Sequence, residues 1–194
     1  MARLQSLCVY CGSKVGANPA YAALAASIGQ HCAETGIAVV FGGGRVGLMG
    51  ELASATVDAG GRITGVIPDH LRQREVAHAD LTELIVVDSM HARKRIMAER
   101  ADAFCVLPGG LGSLDEVVEI ITWKQLGLHD KPIVLLDHDG FWQPFLDLLA
   151  HQTAHGFVDA GHRALFDVAS DVEGVFTAIA RQPEPRAALA GTRL

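Results

Sequence analysis

The sequence predicts a single doubly wound α/β domain, in which helices cover both faces of a mainly parallel sheet. Short apolar segments alternate with longer amphipathic segments along the 194 residues. The short segments are apolar at successive positions, which is typical of strands that are buried on both faces. Strands that alternate with helices in this way indicate helical crossovers between parallel strands. The length is also that of one domain.

Seven segments are predicted as strands and six as helices. The strands are expected at 4–10, 37–41, 62–67, 81–87, 103–107, 132–136 and 164–168. The helices are expected at 19–35, 48–59, 89–100, 113–126, 141–151 and 172–181. Residues 69–80 are polar and mixed, and we predict a loop with a short helix there.

Capping residues mark the ends of the first and third predicted helices. Asn18 is the expected N-cap of the first helix and Gly36 follows its last residue, whereas Asp88 or Ser89 caps the third. The domain is predicted to span residues 1–181. The last residues, 182–194, contain two prolines and no periodicity, and are expected to form a mobile tail.

Composition and charge exclude several classes of protein. Apolar residues make up 49% of the chain and charged residues 20%, as in a globular core. The net charge of −6 argues against nucleic acid or an anionic membrane as the main partner. The N-terminus lacks the layout of a signal peptide, and no apolar run reaches the roughly 18 residues of a membrane span. We therefore expect a cytoplasmic protein.

The four cysteines are too few for a disulfide scaffold in a chain of this size. Cys8 and Cys11 form a lone CxxC pattern. A zinc site would need a second pair, whereas a thioredoxin-like redox role stays open as a minor alternative.

Two glycine clusters, at residues 42–50 and 108–116, follow predicted strands and precede predicted helices. Glycine lets the backbone turn sharply and approach a ligand closely, and the N-terminus of the following helix favours an anion. Ligands of doubly wound sheets bind at the carboxyl ends of the strands. Two clusters at one sheet edge therefore favour a phosphate-containing ligand, and the alternative for each is a tight turn with close packing.

Known nucleotide-binding patterns fit these clusters poorly. Neither cluster continues into the Gly-Lys-Ser/Thr of a P-loop. Gly42, Gly44 and Gly47 match GxGxxG, but they follow the second strand, and the next strand ends at Pro68 without an acidic residue to hold a ribose. The sequence therefore argues against NAD binding.

Arg93 and Glu116 are the candidate catalytic residues. Arg93 lies one turn into the third predicted helix, where a guanidinium suits a phosphate or a polarised sugar oxygen, although a solvated charged face is the alternative. Glu116 follows Ser113 by three residues, so the pair could also be a simple capping box. Both interpretations place the Glu116 carboxylate in the first turn of a helix.

These residues resemble the signature of the LONELY GUY family of cytokinin riboside 5′-monophosphate phosphoribohydrolases. The resemblance rests on Met90-His91-Ala92-Arg93-Lys94 and on the run from Pro108 to Glu116, in which Ser113 replaces the common threonine of PGGxGTxxE. It extends to the segments 8–13, 42–50 and 123–132, and covers about residues 4 to 180.

The resemblance implies a Rossmann-like fold, a homodimer and no metal or organic cofactor. It implies hydrolysis of the N-glycosidic bond of a purine nucleoside 5′-monophosphate to ribose 5-phosphate and free base. Arg93 and Glu116 are the implied catalytic residues. The implied nucleotide contacts are Glu75, Arg93, Lys94, Gly110, Leu111, Gly112, Ser113, Leu114, Asp115, Glu116 and Thr122. Relatives are often labelled lysine decarboxylases, but the chain has only four lysines and no context for pyridoxal phosphate.

Three alternatives stay open at the level of sequence. The enzyme could be a general purine nucleotide nucleosidase, since the preferred base is not determined. A nucleotide-binding module without hydrolase activity is the nearest rival class. A role in binding single-stranded DNA is disfavoured by the net charge and by the 6% aromatic content.

Overall fold

The computed structural model describes residues 4–72 and 80–182. Within these residues the strands form one seven-stranded sheet in the order β4-β3-β2-β1-β5-β6-β7, and every neighbouring pair is parallel. The strands are β1 (Ser6–Tyr10), β2 (Ala38–Phe41), β3 (Ile63–Pro68), β4 (Glu83–Val87), β5 (Ala103–Val106), β6 (Ile133–Leu136) and β7 (Asp167–Ala169). This topology confirms the predicted doubly wound α/β fold.

Helices cover both faces of the sheet. They are α1 (Ala20–Thr35), α2 (Gly47–Asp58), α3 (Asp69–Arg72), α4 (Met90–Arg100), α5 (Leu111–Gln125), α6 (Gln143–Ala154) and α7 (Val172–Arg181). One apolar cluster joins the sheet to α1, α2 and α7. A second cluster joins the opposite face to α4, α5 and α6. The central strands β1, β2, β3, β5 and β6 are mostly apolar because both of their faces are buried, whereas the edge strand β4 is largely exposed.

The two-residue period of β1 explains the CxxC pattern. Cys11 belongs to the cluster with α1 and α2, whereas Cys8 belongs to the cluster on the opposite face. Burial raises the pKa of both thiols, so both stay protonated. The side chains lie on different sides of the sheet, and the structure thus argues against a redox disulfide between them.

Several predicted boundaries are wrong, including those of α6, which starts two residues and ends three residues later than predicted. The N-cap of α1 is Pro19 rather than Asn18, although the Asn18 Oδ1 accepts a hydrogen bond of 3.0 Å from the amide of Ala20. Part of the predicted last strand is a 3-10 helix, Ala160–Leu165. Helix α5 begins two residues earlier than predicted, because its N-cap is Gly110. The predicted caps Gly36 and Ser89 are confirmed.

The predictions about a membrane span and about the C-terminal tail can be compared with the described residues only. In the described part of the chain, no helix is long and apolar enough to cross a membrane. The predicted tail lies outside the described residues except for Gln182, which donates a hydrogen bond of 2.6 Å to Asp167.

Candidate functional site

The candidate site lies at the carboxyl end of β1, where the strand order reverses between β2 and β5. Doubly wound sheets open a crevice at this point. The loops after the three strands are joined directly: the Gly12 amide donates to the Pro108 carbonyl at 3.1 Å, and the Leu48 amide donates to the Gly12 carbonyl at 3.0 Å. Gly47 has a φ of 64°, and a Cβ there would collide with the backbone of Ser13. The two glycine clusters therefore meet across β1.

A cavity of about 220 Å³ opens between these loops. Its walls come from the loops after β1, β2 and β5 and from the first turns of α2, α3, α4 and α5. It is lined by Val9, Cys11, Gly12, Ser13, Gly42, Met49, Leu71, Met90, Arg93, Gly110, Leu111, Gly112, Ser113 and Glu116. The cavity combines one cation, one carboxylate and the N-terminus of a long helix.

Arg93 is held in the cavity wall by the backbone of the first glycine cluster. Ser89 begins α4 by accepting a hydrogen bond of 3.2 Å from the amide of Ala92, which places Arg93 on the first turn. The side chain is 5% exposed, and its Nη2 donates to the Gly42 carbonyl at 2.9 Å. A Cβ at position 42 would occupy the space of the same Nη2 atom. Glycine is therefore required at position 42 for the guanidinium to sit where it does.

The N-terminus of α5 forms another part of the cavity wall. Gly110 is the N-cap, and the first amides of a helix have no acceptor within it. These amides, from Leu111 to Ser113, lie at the cavity and suit an anion. Ser113 is 4% exposed and packs so closely against Gly109 that a Cβ at that position would collide with its hydroxyl.

Glu116 lies one turn further along α5, with 9% of its surface exposed. Because α5 begins at Leu111, Ser113 and Glu116 both lie inside the helix, and the capping-box alternative is wrong. Burying a carboxylate is unfavourable unless its surroundings stabilise the charge. Glu116 lies in the cavity wall and does not cap the helix, so its carboxylate is a candidate catalytic group.

Lys94 and Asp115 make their contacts away from the cavity. Lys94 Nζ lies 3.0 Å from Asp115 Oδ2 and 3.0 Å from Glu119 Oε2. Burial lowers the pKa of Lys94, but the hydrogen bonds to the two carboxylates outweigh burial and raise the pKa above its usual value. The structure thus places Lys94 and Asp115 in an ion-pair cluster between α4 and α5.

Three other predicted contacts are not placed at the cavity either. Leu114 is partly exposed on the outer face of α5. Thr122 lies on the outer face as well, where its hydroxyl donates to the Val118 carbonyl at 2.8 Å. Glu75 lies outside the described residues. Of the predicted set, the structure brings together Arg93, Gly110, Leu111, Gly112, Ser113 and Glu116.

The sequence analysis missed the apolar part of the cavity wall. Met49, Leu71 and Met90 line it, and their apolar side chains could pack against a planar base. Met49 and Met90 lie in the segments that carry the family resemblance, next to the glycines of residues 42–50 and three residues before Arg93. Their place in the cavity wall could therefore have been predicted from the sequence. Leu71 carries no such signal, because its place depends on how α3 folds back over β3.

Among the described residues, no lysine lines the cavity. Lys124 and Lys131 donate to the carbonyls of Lys131 and Ala98, at 2.9 and 2.7 Å. In residues 4–72 and 80–182, no group of three or more His, Cys, Asp or Glu residues is arranged to hold a metal ion.

Comparison with known proteins identifies the family. A family model described as "Possible lysine decarboxylase" matches residues 49–179. The cytokinin riboside 5′-monophosphate phosphoribohydrolase of Rhodococcoides fascians is 44% identical over 176 residues, which are 90% of this chain and 89% of that protein. The chain belongs to the LONELY GUY family. A LONELY GUY phosphoribohydrolase of Arabidopsis thaliana is 41% identical over 163 residues, which cover 84% of this chain and 76% of the relative.

A solved structure supports the fold of this LONELY GUY protein. The molybdenum cofactor carrier protein of Chlamydomonas reinhardtii superposes with a TM-score of 0.70 at 26% identity. The match covers 92% of this chain and 98% of that protein. The same Rossmann-like architecture therefore occurs both in a carrier and in hydrolases, so that function has to be argued from the site.

Proposed function

We propose that this chain hydrolyses the N-glycosidic bond of adenosine-type nucleoside 5′-monophosphates, and releases the free base and ribose 5-phosphate. The observation that carries the proposal is the cavity at the end of β1, where Arg93 and Glu116 are both buried beside the N-terminus of α5. The relatives named above, which are phosphoribohydrolases, support the same activity.

The 5′-phosphate would bind at the first turn of α5. The amides of Leu111, Gly112 and Ser113 and the Ser113 hydroxyl offer donors there, and the helix dipole favours the negative charge. Binding energy from the phosphate then positions the ribose for reaction. This arrangement explains a preference for nucleoside monophosphates over free nucleosides.

Glu116 would act at the anomeric carbon. Cleavage of the bond between ribose and base develops positive charge on that carbon and on the ring oxygen. A carboxylate close to this charge stabilises the transition state and can accept a proton from the attacking water. Arg93, held by the Gly42 carbonyl, would orient the ribose or the leaving base. Met49, Leu71 and Met90 would pack against the base.

An assay of base release tests the proposal. We expect AMP and N6-substituted AMP to yield free base and an equimolar amount of ribose 5-phosphate, whereas adenosine without the phosphate yields neither at a comparable rate. Base and sugar phosphate are measured separately by chromatography. Tight binding of AMP without release of either product would instead favour a nucleotide-binding module, the function class to which a carrier belongs.

We further propose that the protein acts as a homodimer packed through the outer face of α5. That face and α6 border an apolar groove of about 790 Å³, whose lining includes Val118, Ile121, Leu146 and Leu149. The groove and the candidate active site share helix α5, whose first turns line the cavity and whose later turns line the groove. A second copy would bury these side chains and place Thr122 at the interface.

A charge placed in the groove tests the dimer. We expect Val118→Asp to give a monomer with little hydrolase activity, because Val118 is 46% exposed on α5 and lines the groove. Leu148→Asp is the matched control, since Leu148 is 52% exposed on α6 but does not line the groove. Sedimentation velocity measures the oligomeric state. A dimer that persists in Val118→Asp would place the interface elsewhere.

A further inference from the structure

Lys94 follows Arg93 in the sequence, but the two side chains contact different parts of the structure. Adjacent residues of a helix point about 100° apart. Arg93 lines the cavity, whereas Lys94 reaches across to α5 and lies 3.0 Å from both Asp115 and Glu119. Asp115 and Glu119 are four residues apart and so present their carboxylates on the same side of α5. One ammonium group therefore joins the two helices through two ion pairs.

The charges around Lys94 disfavour a phosphate at this place. Its side chain is 8% exposed, and one positive charge faces two carboxylates, which leaves the cluster with a net charge of −1. Two of the three donors of the ammonium group are directed at these carboxylates. A phosphate would have to displace one carboxylate and lie beside the other, which like-charge repulsion opposes.

The cluster connects the two candidate catalytic residues through their neighbours. Arg93 precedes Lys94 on α4, and Glu116 follows Asp115 on α5. Helix α4 packs mainly against β3 and β1, and α5 packs mainly against β1 and the 3-10 helix. The ion pairs of Lys94 therefore tie α4 directly to α5. A shift of either helix would change the distance between the Arg93 guanidinium and the Glu116 carboxylate, which both line the cavity.

We propose that Lys94 is a positioning residue that ties α4 to α5 and thereby fixes Arg93 relative to Glu116, and that it is not a ligand of the nucleotide. The inference rests on the hydrolase function proposed above. It reassigns a residue that the family motif implies to be a nucleotide contact. Asp115 and Glu119 become parts of the same positioning device.

A double-mutant cycle separates positioning from direct contact. We expect Lys94→Met to lower kcat for AMP by about 10- to 100-fold, because small misplacements of catalytic groups have effects of this size. The KM for AMP and the inhibition constant of ribose 5-phosphate should stay unchanged, since no contact to the nucleotide is removed. The Asp115→Asn/Glu119→Gln variant should show the same pattern. Adding Lys94→Met to that variant should cause little further loss.

A direct contact predicts a different outcome. In that case Lys94→Met would raise KM and weaken inhibition by ribose 5-phosphate, and it would do so equally in the wild-type and Asp115→Asn/Glu119→Gln backgrounds. Additive effects of this kind would overturn the proposal. Arg95→Met is the matched control, because Arg95 forms an exposed ion pair with Glu99 within α4 and should leave all constants unchanged.

Hydrogen exchange tests the link between the helices without any assay of turnover. We expect amides in the first turns of α4 and α5 to exchange faster in Lys94→Met and in Asp115→Asn/Glu119→Gln, but not in Arg95→Met. Unchanged exchange in both cluster variants would contradict the proposed link. If wild-type protein released no base, the proposed function would fail, and the exchange result alone would decide whether Lys94 joins the two helices.

Discussion

Replacing Glu116 by Gln should abolish base release while the protein stays folded. The replacement keeps the size and shape of the side chain but removes the negative charge that stabilises the developing cation of the ribose. Removal of a group with such a role lowers kcat by about 10³-fold or more. The measurement is the rate of adenine release from AMP under saturating substrate. Turnover close to that of the wild type would exclude Glu116 as the catalytic carboxylate.

The position of Glu116 inside α5 makes this test informative. Because the N-cap is Gly110, the side chain of Glu116 does not cap the helix, and Gln should fit without loss of helix stability. The melting temperature should therefore change little. Glu51→Gln, an exposed carboxylate on α2, is the control for the loss of one negative charge from the protein. Binding of AMP by Glu116→Gln should persist, since the phosphate contacts come from the first turn of α5.

The sequence predicted elements better than it predicted how they contact one another. The bounds of α7 agree with the prediction, because Asp171 caps the helix and an amphipathic run follows it. The predicted start of α5 was wrong because Ser113 and Glu116 match the sequence pattern of a capping box, whereas the helix begins two residues before Ser113. The motif placed Arg93 and Glu116 in the site, but their roles there stay a prediction.

Contacts between distant segments explain what the sequence did not predict. The hydrogen bond from Arg93 to Gly42 joins residues 51 positions apart, and no local pattern indicates it. Lys94 was grouped with Arg93 because the two are adjacent in the motif. The helical period separates them, and only the packing of α4 beside α5 determines that Lys94 meets two carboxylates.

Gly42→Ala should lower the activity of the enzyme by displacing Arg93, although the substitution leaves both candidate catalytic residues in place. The new Cβ would collide with Nη2 of Arg93 and lie 3.1 Å from Sδ of Met49. Arg93 is 5% exposed and has little room to move within the wall, so the guanidinium must leave its hydrogen bond with the Gly42 carbonyl. We expect kcat to fall by about 100-fold. Overpacking should also lower the free energy of unfolding by about 1–3 kcal/mol.

The effect of Gly42→Ala on Arg93 can be separated from its effect on stability. Gly161→Ala is the control, because a Cβ there meets nothing within 4 Å, and it should retain full activity. Rates are compared at a temperature well below the unfolding transition of each variant. If Gly42 acts through the guanidinium, adding Gly42→Ala to Arg93→Met should cost little more than Arg93→Met alone. Wild-type turnover in Gly42→Ala would mean that the reaction does not need the guanidinium at its observed position, and a full further loss in the double variant would assign Gly42 a role independent of Arg93.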